Sequence, residues 1–353
     1  MAMSGGIDSG VAAMLLREQD FELVGVTFRN VGDDVENCPN TDAGCGASDA
    51  VEEAKKLAEQ LGIEHHTIDA RTLFREIVMQ NFIDEYLRAR TPNPCVWCNP
   101  IIKWGLLLQK ADELHCDYLA TGHYAQIAHC DGRYFLKKGK DVLKDQTYFL
   151  WKLTSEQLSR TIFPLGGLTK AEVREIAAAH GFVKLSQKKE SEEICFVPDN
   201  NYRNFLFANV PDLEQRMRPG KFVDTEGKVL GKHSGLFNYT IGQRRGLGIA
   251  LGVPAYVVAL DAQRNRVVIG GKEDLQGGEL EAEDLNFTKY ADFDDGMTVD
   301  CRIRYRSQGV PAKLYHTENG VRVCFDNPVE SITPGQSVVF YEDDELVGGG
   351  VIR

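Results

Sequence analysis

The stretch Ser4-Gly5-Gly6-Ile7-Asp8-Ser9-Gly10 constrains this chain most, because it sets two adjacent glycines, two hydroxyls and a carboxylate ahead of an apolar run, Val11 to Leu16. That is the composition of an anion cradle. Glycines let the main chain approach a phosphate, amides at a helix start point toward it, and serine hydroxyls add donors. The loop lacks the lysine of GxxxxGK(S/T), which disfavours a Walker-type nucleotide hydrolase. The plain alternative is a glycine-rich turn capping a helix through Asp8 or Ser9.

The residues beyond this loop keep a βαβ rhythm. Phe21 to Phe28 reads as a buried strand, Ala47 to Leu61 as an amphipathic helix stopped by Gly62, and Glu64 to Ile68 as a second strand. This implies a doubly wound parallel sheet of α/β class with its ligand at the carboxyl ends of the strands. Only Met1 to Met3 precede the loop, so the strand delivering it is either very short or begins upstream. Helices are expected over Leu73 to Arg88 and Ile101 to Leu114, with a proline-stiffened loop, Thr91 to Asn99, between them. Asp117 to Thr121 is a further strand, Cys130-Asp131-Gly132 a hairpin turn, and Thr169-x-x-Glu172 a capping box.

Beyond about Asn200 glycines punctuate short segments, and beyond Gly278 alternation marks short strands: Val299 to Arg304, Ala312 to His316, Val321 to Phe325 and Ser337 to Tyr341. At 353 residues and ~150 residues per domain, two or three domains are expected. We divide the chain into a nucleotide domain over 1–199, a small connecting domain over 200–277 and a C-terminal antiparallel β-barrel over 278–353. No apolar run approaches the ~20 residues of a membrane helix, and the cytosol is the expected compartment, with no membrane partner.

A net charge of −12 argues against a uniformly cationic nucleic-acid binder. Local basic clusters nevertheless allow a basic groove: Lys137, Lys138, Lys140 and Lys144; Lys184, Lys188 and Lys189; Arg244 and Arg245; Arg302, Arg304 and Arg306. Each alone is better explained as a solvated face.

Nine scattered cysteines in a chain with a sizeable core indicate reduced thiols. Cys95-Val96-Trp97-Cys98 suits a redox pair, half a zinc site or neither; no second CxxC completes a zinc site, and Cys38 and Cys45 would have to make up a Cys₄ set. A thioredoxin-like role is disfavoured because the pair is expected in a loop and not at a helix start. Cys195, between Ile194 and Phe196, reads as a core thiol. Against these accounts, a nucleotide-activating loop combined with thiols is what sulfur insertion needs: ATP makes a carbonyl oxygen a leaving group, and a thiolate or persulfide attacks the activated carbon.

Here the motifs carry a resemblance. Ser4 to Ser9 resembles the SGGxDS signature of the ATP pyrophosphatase superfamily, and the chain as a whole resembles the tRNA-specific 2-thiouridylases of the MnmA family. Thr91 to Asn99 is similar to that family's TPNPxxxCN, Ala120 to Tyr124 to ATGHY, Lys144 to Leu150 to KDQ(S/T)YFL, Glu190 to Phe196 to DSxxICF, Tyr239 to Gly248 to YTIGQRRGLG, and Arg302 to Tyr305 to KIRY.

The resemblance implies an adenine nucleotide alpha hydrolase-like first domain. It implies ATP-dependent transfer of sulfur to C2 of the wobble uridine in tRNAs for lysine, glutamate and glutamine. A cysteine desulfurase or a relay protein would donate the sulfur. Carried over by position, Cys195 bears the persulfide and Cys98 is the second catalytic thiol, pairing with Cys195 as a disulfide. Ala2, Met3, Ser4, Gly5, Gly6, Ile7, Asp8, Ser9, Phe28 and Gly122 line the ATP site, with Asp8 helping to hold Mg²⁺. His123, Lys144, Asp145, Gln146, Arg304, Tyr305 and Gln336 contact tRNA, and Asn93, Pro94 and Cys95 the target base.

Two departures stand out. Cys95 occupies a position where many members have aspartate, and Glu190-Ser191-Glu192-Glu193 replaces Asp-Ser-Thr-Gly before the sulfur-bearing cysteine. An ATP-dependent ligase or amidotransferase of the same superfamily is the competing enzyme class, and it would tolerate serine at Cys98 and Cys195. An RNA-binding module with a vestigial loop is the non-enzymatic alternative, and it would show no tRNA-dependent pyrophosphate release.

Overall fold

The computed structural model describes residues 1–32, 48–183, 187, 194–197, 199–216, 218–249 and 252–353. Cys38, Cys45, Lys184, Lys188, Lys189 and the Glu190 to Glu193 stretch lie outside the described residues. In the first domain the strands are β1 (Val24–Arg29), β2 (Glu64–Asp69), β3 (Leu119–Ala120), β4 (Ala125–Cys130), β5 (Arg133–Lys138) and β6 (Thr161–Ile162). β1 pairs parallel with β2 and β3 parallel with β6. The strand that delivers the glycine loop is a single parallel bridge, Ala2 to Val26, and the Ala2 amide donates to Ala120 O at 2.8 Å. The amino-terminal residues thus join the two pairs in the spatial order β2, β1, Met1–Met3, β3, β6. The chain order reverses between Met1–Met3 and β3, and the crevice beyond the carboxyl ends of those two segments is where a doubly wound sheet binds its ligand.

Helices Ile7–Glu18 and Ser48–Leu61 cover this sheet, and their apolar faces, with Val11, Met14, Leu57 and Leu61, form one core with Val173 and Ala177 of the helix Lys170–Ala179. That last helix opens on the expected capping box: Thr169 and Glu172 satisfy each other's amides. The helix expected at Leu73 begins with Arg71–Phe74, passes through a π-helical turn at Arg75–Met79 and ends as Gln80–Leu87.

One expectation is overturned. Thr91 to Asn99 is not a loop throughout: Pro94–Cys98 is α-helical and runs on through a π-helical stretch, Asn99–Gly105, into the helix Leu106–Glu113. Pro94, expected to stiffen a loop, starts the helix instead. At the first helical position its fixed φ is pre-set and its missing N–H is not needed, while Asn93 before it is extended, as a residue preceding proline prefers.

β4 and β5 form the expected hairpin, with Asp131 (φ 49°) and Gly132 (φ 75°) both left-handed at its turn. This hairpin also leaves its own domain. β5 pairs at Lys137 with Glu345 of the C-terminal sheet, and the Arg133 guanidinium donates to Phe287 O and Thr288 O. The middle segment carries β7 (Gly220–Val223), β8 (Val229–His233), β9 (Tyr256–Asp261) and β10 (Arg266–Gly270) in the order β8-β7-β10-β9 around Phe222, Val257 and Val267.

The C-terminal strands are β11 (Gln276–Phe287), β12 (Met297–Arg302), β13 (Val310–Thr317), β14 (Gly320–Glu330), β15 (Ser337–Glu342) and β16 (Glu345–Ile352). They pair antiparallel in the order β11-β14-β13-β12-β15-β16, and β16 returns to β11, closing a six-stranded barrel. The interior is filled by Leu314, Val321, Val323, Val338, Phe340 and Val347.

Candidate active site

The glycine loop turns on Gly5, whose φ is 70° and whose missing side chain lets the main chain pass Ala50 O; a Cβ there would lie 2.9 Å from that oxygen. Gly6 caps the helix Ile7–Glu18 in extended conformation with no side-chain cap, so its first amides keep their outward direction. Ser9 is buried and braces the loop from within. Its Oγ donates to Gly6 O at 3.1 Å, accepts from the Ser4 amide at 3.1 Å and lies 3.2 Å from Ser4 Oγ.

Gly122, just past β3, closes the crevice from the other strand. A Cβ on it would stand 2.7 Å from Asp8 C and 2.8 Å from Ser9 N, so only glycine lets β3 and the loop meet. Phe28, the last residue but one of β1, is buried. The residues expected to hold a nucleotide therefore converge on one crevice, at the switch point.

Asp8 departs from its expected role. Both oxygens of its carboxylate accept from Lys170, with Nζ at 2.7 and 2.9 Å, and Tyr124 Oη adds a further hydrogen bond at 2.7 Å. A divalent cation on the same oxygens would face the ammonium within a few ångströms, where like charges repel by several kcal/mol at an effective dielectric of about 20. Among the described residues no three metal-ligating side chains gather anywhere. Asp8 does not fit a metal ligand in this arrangement. Lys170, which sequence reasoning missed, lies 162 positions away and carries no local signal beyond following the Thr169 cap.

Cys95 and Cys98 share one helical turn, Cys95 exposed and Cys98 buried. Their expected place in a loop is the ground on which a thioredoxin-like role is disfavoured. That ground does not hold, although the helix Gln80–Leu87 precedes the motif where a strand would precede a thioredoxin-like one. Cys98 and Val96 belong to the large apolar cluster of the first domain, and Cys195 packs partly buried against the same cluster. Phe196, next to it, meets Phe74 at 5.6 Å and Phe82 at 5.2 Å, edge to face.

The remaining expected residues sort into inward and outward groups. Asn93 is nearly buried, at the cap of the Cys98 helix. Asp145 is buried too: it accepts from Thr147 Oγ1 at 3.0 Å and from the Gly139 amide at 3.3 Å, and it pairs with Arg302 at 3.3 Å. Burial, opposed by the Thr147 bonds, raises its carboxyl above the usual value. Direct contact of Asp145 with RNA is therefore not what this arrangement offers; it organises the loop Gly139–Gln146. Gln146 likewise accepts from the Tyr124 amide.

His123 bonds Thr121 Oγ1 at 2.8 Å and packs by Trp104 and Phe163; burial, aided by Lys103, pushes its imidazole well below 6.5, so it is neutral at pH 7. Tyr305, from the segment after β12, lies on Phe149 with ring centres 4.5 Å apart. The carbonyl of Phe149 accepts from Asn99 Nδ2, directly after Cys98, at 2.8 Å. Arg304 is exposed and donates to Glu330 O; Lys144 stands half-buried near the tip of the Gly139–Gln146 loop.

Three family models match in succession. They are the tRNA methyl transferase HUP domain over residues 1–199, the tRNA methyl transferase PRC-barrel domain over 211–271 and the aminomethyltransferase β-barrel domain over 278–352. A tRNA-specific 2-thiouridylase MnmA of Halothermothrix orenii is 50% identical over 355 aligned residues, covering 100% of this chain and 98% of the relative. This chain belongs to the tRNA-specific 2-thiouridylase MnmA family. Its namesake from Amoebophilus asiaticus is 47% identical over 100% of this chain and 94% of its own length. The MnmA assignment covers all three parts of the fold, so the barrel contacts that reach the Cys98 helix belong to one family architecture.

Proposed function

We propose that this protein transfers sulfur to C2 of the wobble uridine of tRNA, using ATP and a cysteine persulfide, and gives 2-thiouridine, AMP and pyrophosphate. Membership of the thiouridylase family supports the reaction class. The observation that carries the chemistry is the pairing of a phosphate cradle at the switch point with two cysteines, Cys98 and Cys195, on one core cluster. The Gly5–Ser9 amides would receive the phosphates, and Gly122 lets the neighbouring strand end pack against that loop. The uracil O2 then bonds to the α-phosphorus, pyrophosphate leaves, and C2 becomes open to attack by sulfur carried on Cys195. With AMP expelled, the Cys98 thiolate bonds to the Cys195 sulfur and frees the transferred atom, leaving a Cys98–Cys195 disulfide for reduction.

The donor of the sulfur is a cysteine desulfurase or a relay protein, and the substrates are tRNAs for lysine, glutamate and glutamine. No helix among the described residues is long and apolar enough to cross a membrane. The cytoplasm is the compartment we assign to the reaction. The test is release of pyrophosphate from ATP by the purified protein with and without a wobble-uridine tRNA. Release that requires the tRNA supports the proposal, and release indifferent to it contradicts it.

A further inference from the structure

We propose that the middle sheet carries a binding site for the sugar-phosphate backbone of tRNA, built by Lys221, Lys232 and Arg266 with Arg264 beside them. The inference rests on the tRNA reading above. None of these residues belongs to the basic clusters legible in the sequence, because they are scattered over positions 221 to 266 and only strand pairing gathers them. Lys232 of β8 stands opposite Lys221 of β7, and Lys221 stands opposite Arg266 of β10, so three cations cross three adjacent strands in one row. Neighbouring strands lie about 4.8 Å apart, which gives the row a length of roughly 10 Å.

Like charges directly opposite one another on a sheet destabilise it, so such a row calls for counter-charge. The protein does not supply it. Among the described residues Lys221, Lys232 and Arg266 enter no ion pair, and the open cleft of about 320 Å³ that they line with Arg264 and Asn265 has no acidic residue in its wall. The carboxylate next in the row, Asp261 opposite Arg266 on β9, is engaged by Arg264: it accepts from the Arg264 amide at 3.0 Å and pairs with the guanidinium at 3.4 Å. On a chain of net charge −12, an uncompensated basic row marks a place for an anion.

The scaffold under the row is fixed. Asn265, between the two arginines, is left-handed (φ 51°); its Nδ2 donates to Arg218 O at 3.0 Å, and its carbonyl accepts from the Lys221 amide at 3.3 Å. A Cβ on Gly220 would lie 2.2 Å from that carbonyl, so glycine is what lets the turn between β9 and β10 rest on the start of β7. The ligand need only order side chains that stand on a braced turn. A single anion would call for donors converging on one point. An open row suits successive phosphates of a chain, met by charge and without regard to base sequence.

The test measures binding of a full-length wobble-uridine tRNA to the full-length protein across ionic strength, for the wild type, Lys221→Ala, Lys232→Ala, Arg266→Ala and the triple variant. Each single change should lower the slope of log K against log salt by about one unit. The triple should lower it by about two to three and weaken binding about 10- to 100-fold at 0.1 M salt. Lys228→Ala, which removes an exposed cation of the β7–β8 turn outside the row, should leave the slope as it is. In steady-state pyrophosphate release the triple should raise KM for tRNA by the same factor and keep kcat within about twofold. A folded triple with the wild-type slope would overturn the proposal, and so would a Lys228→Ala effect as large as that of each row member. Should the triple not fold, the single variants decide on the same criterion. Inorganic phosphate at constant ionic strength probes the other source of the same chemistry: if it raises the melting temperature of the wild type and not of the triple while their tRNA slopes agree, the site takes free phosphate and the proposal falls. A wild type that does not bind tRNA would overturn the tRNA reading together with this one, whereas a triple indistinguishable from a wild type that thiolates tRNA would overturn this one alone.

Discussion

Gln336 Nε2 donates to the carbonyls of Thr91 at 2.9 Å and Pro92 at 3.0 Å, so a residue beside the barrel strand β15 holds the approach to the Cys98 helix. The Thr91 amide adds a bond to Pro334 O at 2.8 Å, and Tyr305 steadies Phe149, whose carbonyl holds Asn99 at the other end of the same turn. The barrel thus brackets the thiol without lending it a reactive group. Replacing Gln336 with alanine should lower 2-thiouridine formation about 10- to 100-fold by misplacing Cys98, while tRNA-dependent pyrophosphate release stays within about threefold. Measuring both products in one reaction checks this, and an equal fall in both would place Gln336 on the RNA.

Neighbouring arginines of one motif should behave differently. Arg302 is paired with buried Asp145, and Arg302→Ala leaves that carboxylate without its cation, at a cost of about 3–5 kcal/mol. The Asp145 carboxyl already titrates above its ordinary 3.8, so its protonated form is favoured in the folded state and the stability it adds is lost as pH rises past that range. The Arg302→Ala penalty should accordingly be larger at pH 7 than at pH 4, which paired thermal melts will show. A penalty independent of pH would contradict the pairing.

Exposed Arg304 and half-buried Lys144 are the residues proposed to meet phosphate. The slope of log K against log salt for tRNA should be steep despite the −12 charge, and Arg304→Ala or Lys144→Ala should each reduce it by about one unit. Titration of tRNA binding across ionic strength checks it; a flat plot would remove the basic groove.

His123 carries a pH prediction of the opposite kind. Its folded pKa is depressed by burial, so the unfolded chain takes up a proton first, and the stability it contributes is present above about 6.5 and lost as pH falls from there toward its folded value. His123→Phe should lose that share of the acid sensitivity. It should also leave the pH dependence of tRNA affinity between pH 6 and 8 unchanged, because a neutral ring adds no charge to the proposed RNA contact. Melting curves and binding isotherms across that range decide both points.

Sequence pattern reached much of this fold because the signals are local. The capping box at Thr169, the Asp131-Gly132 turn and the alternation of the barrel strands each report their own few residues. It missed what is made by distant pairings. A delivering strand reduced to the single Ala2 bridge has no period to detect, and Lys170 finds Asp8 only through the packing of two helices. Proline at Pro94 signals equally a break or a helix start, and the packing of Val96 and Cys98 decides between them. Asp145 and Gln146 look like surface polar residues in sequence; that they turn inward follows from Arg302 and Tyr124 lying behind them.

The most direct measurement is nucleoside mass analysis of a wobble-uridine tRNA after incubation with ATP, a cysteine desulfurase and cysteine. It would be run with the wild type and with Cys95→Ser, Cys95→Asp, Cys98→Ser and Cys195→Ser, the persulfide being located by peptide mass spectrometry. The proposed mechanism predicts 2-thiouridine with the wild type and its loss in Cys98→Ser and Cys195→Ser. Substantial activity should remain in Cys95→Ser, at least as much in Cys95→Asp, and the persulfide should sit on Cys195. Full activity in Cys195→Ser, or a persulfide on Cys95, would contradict it.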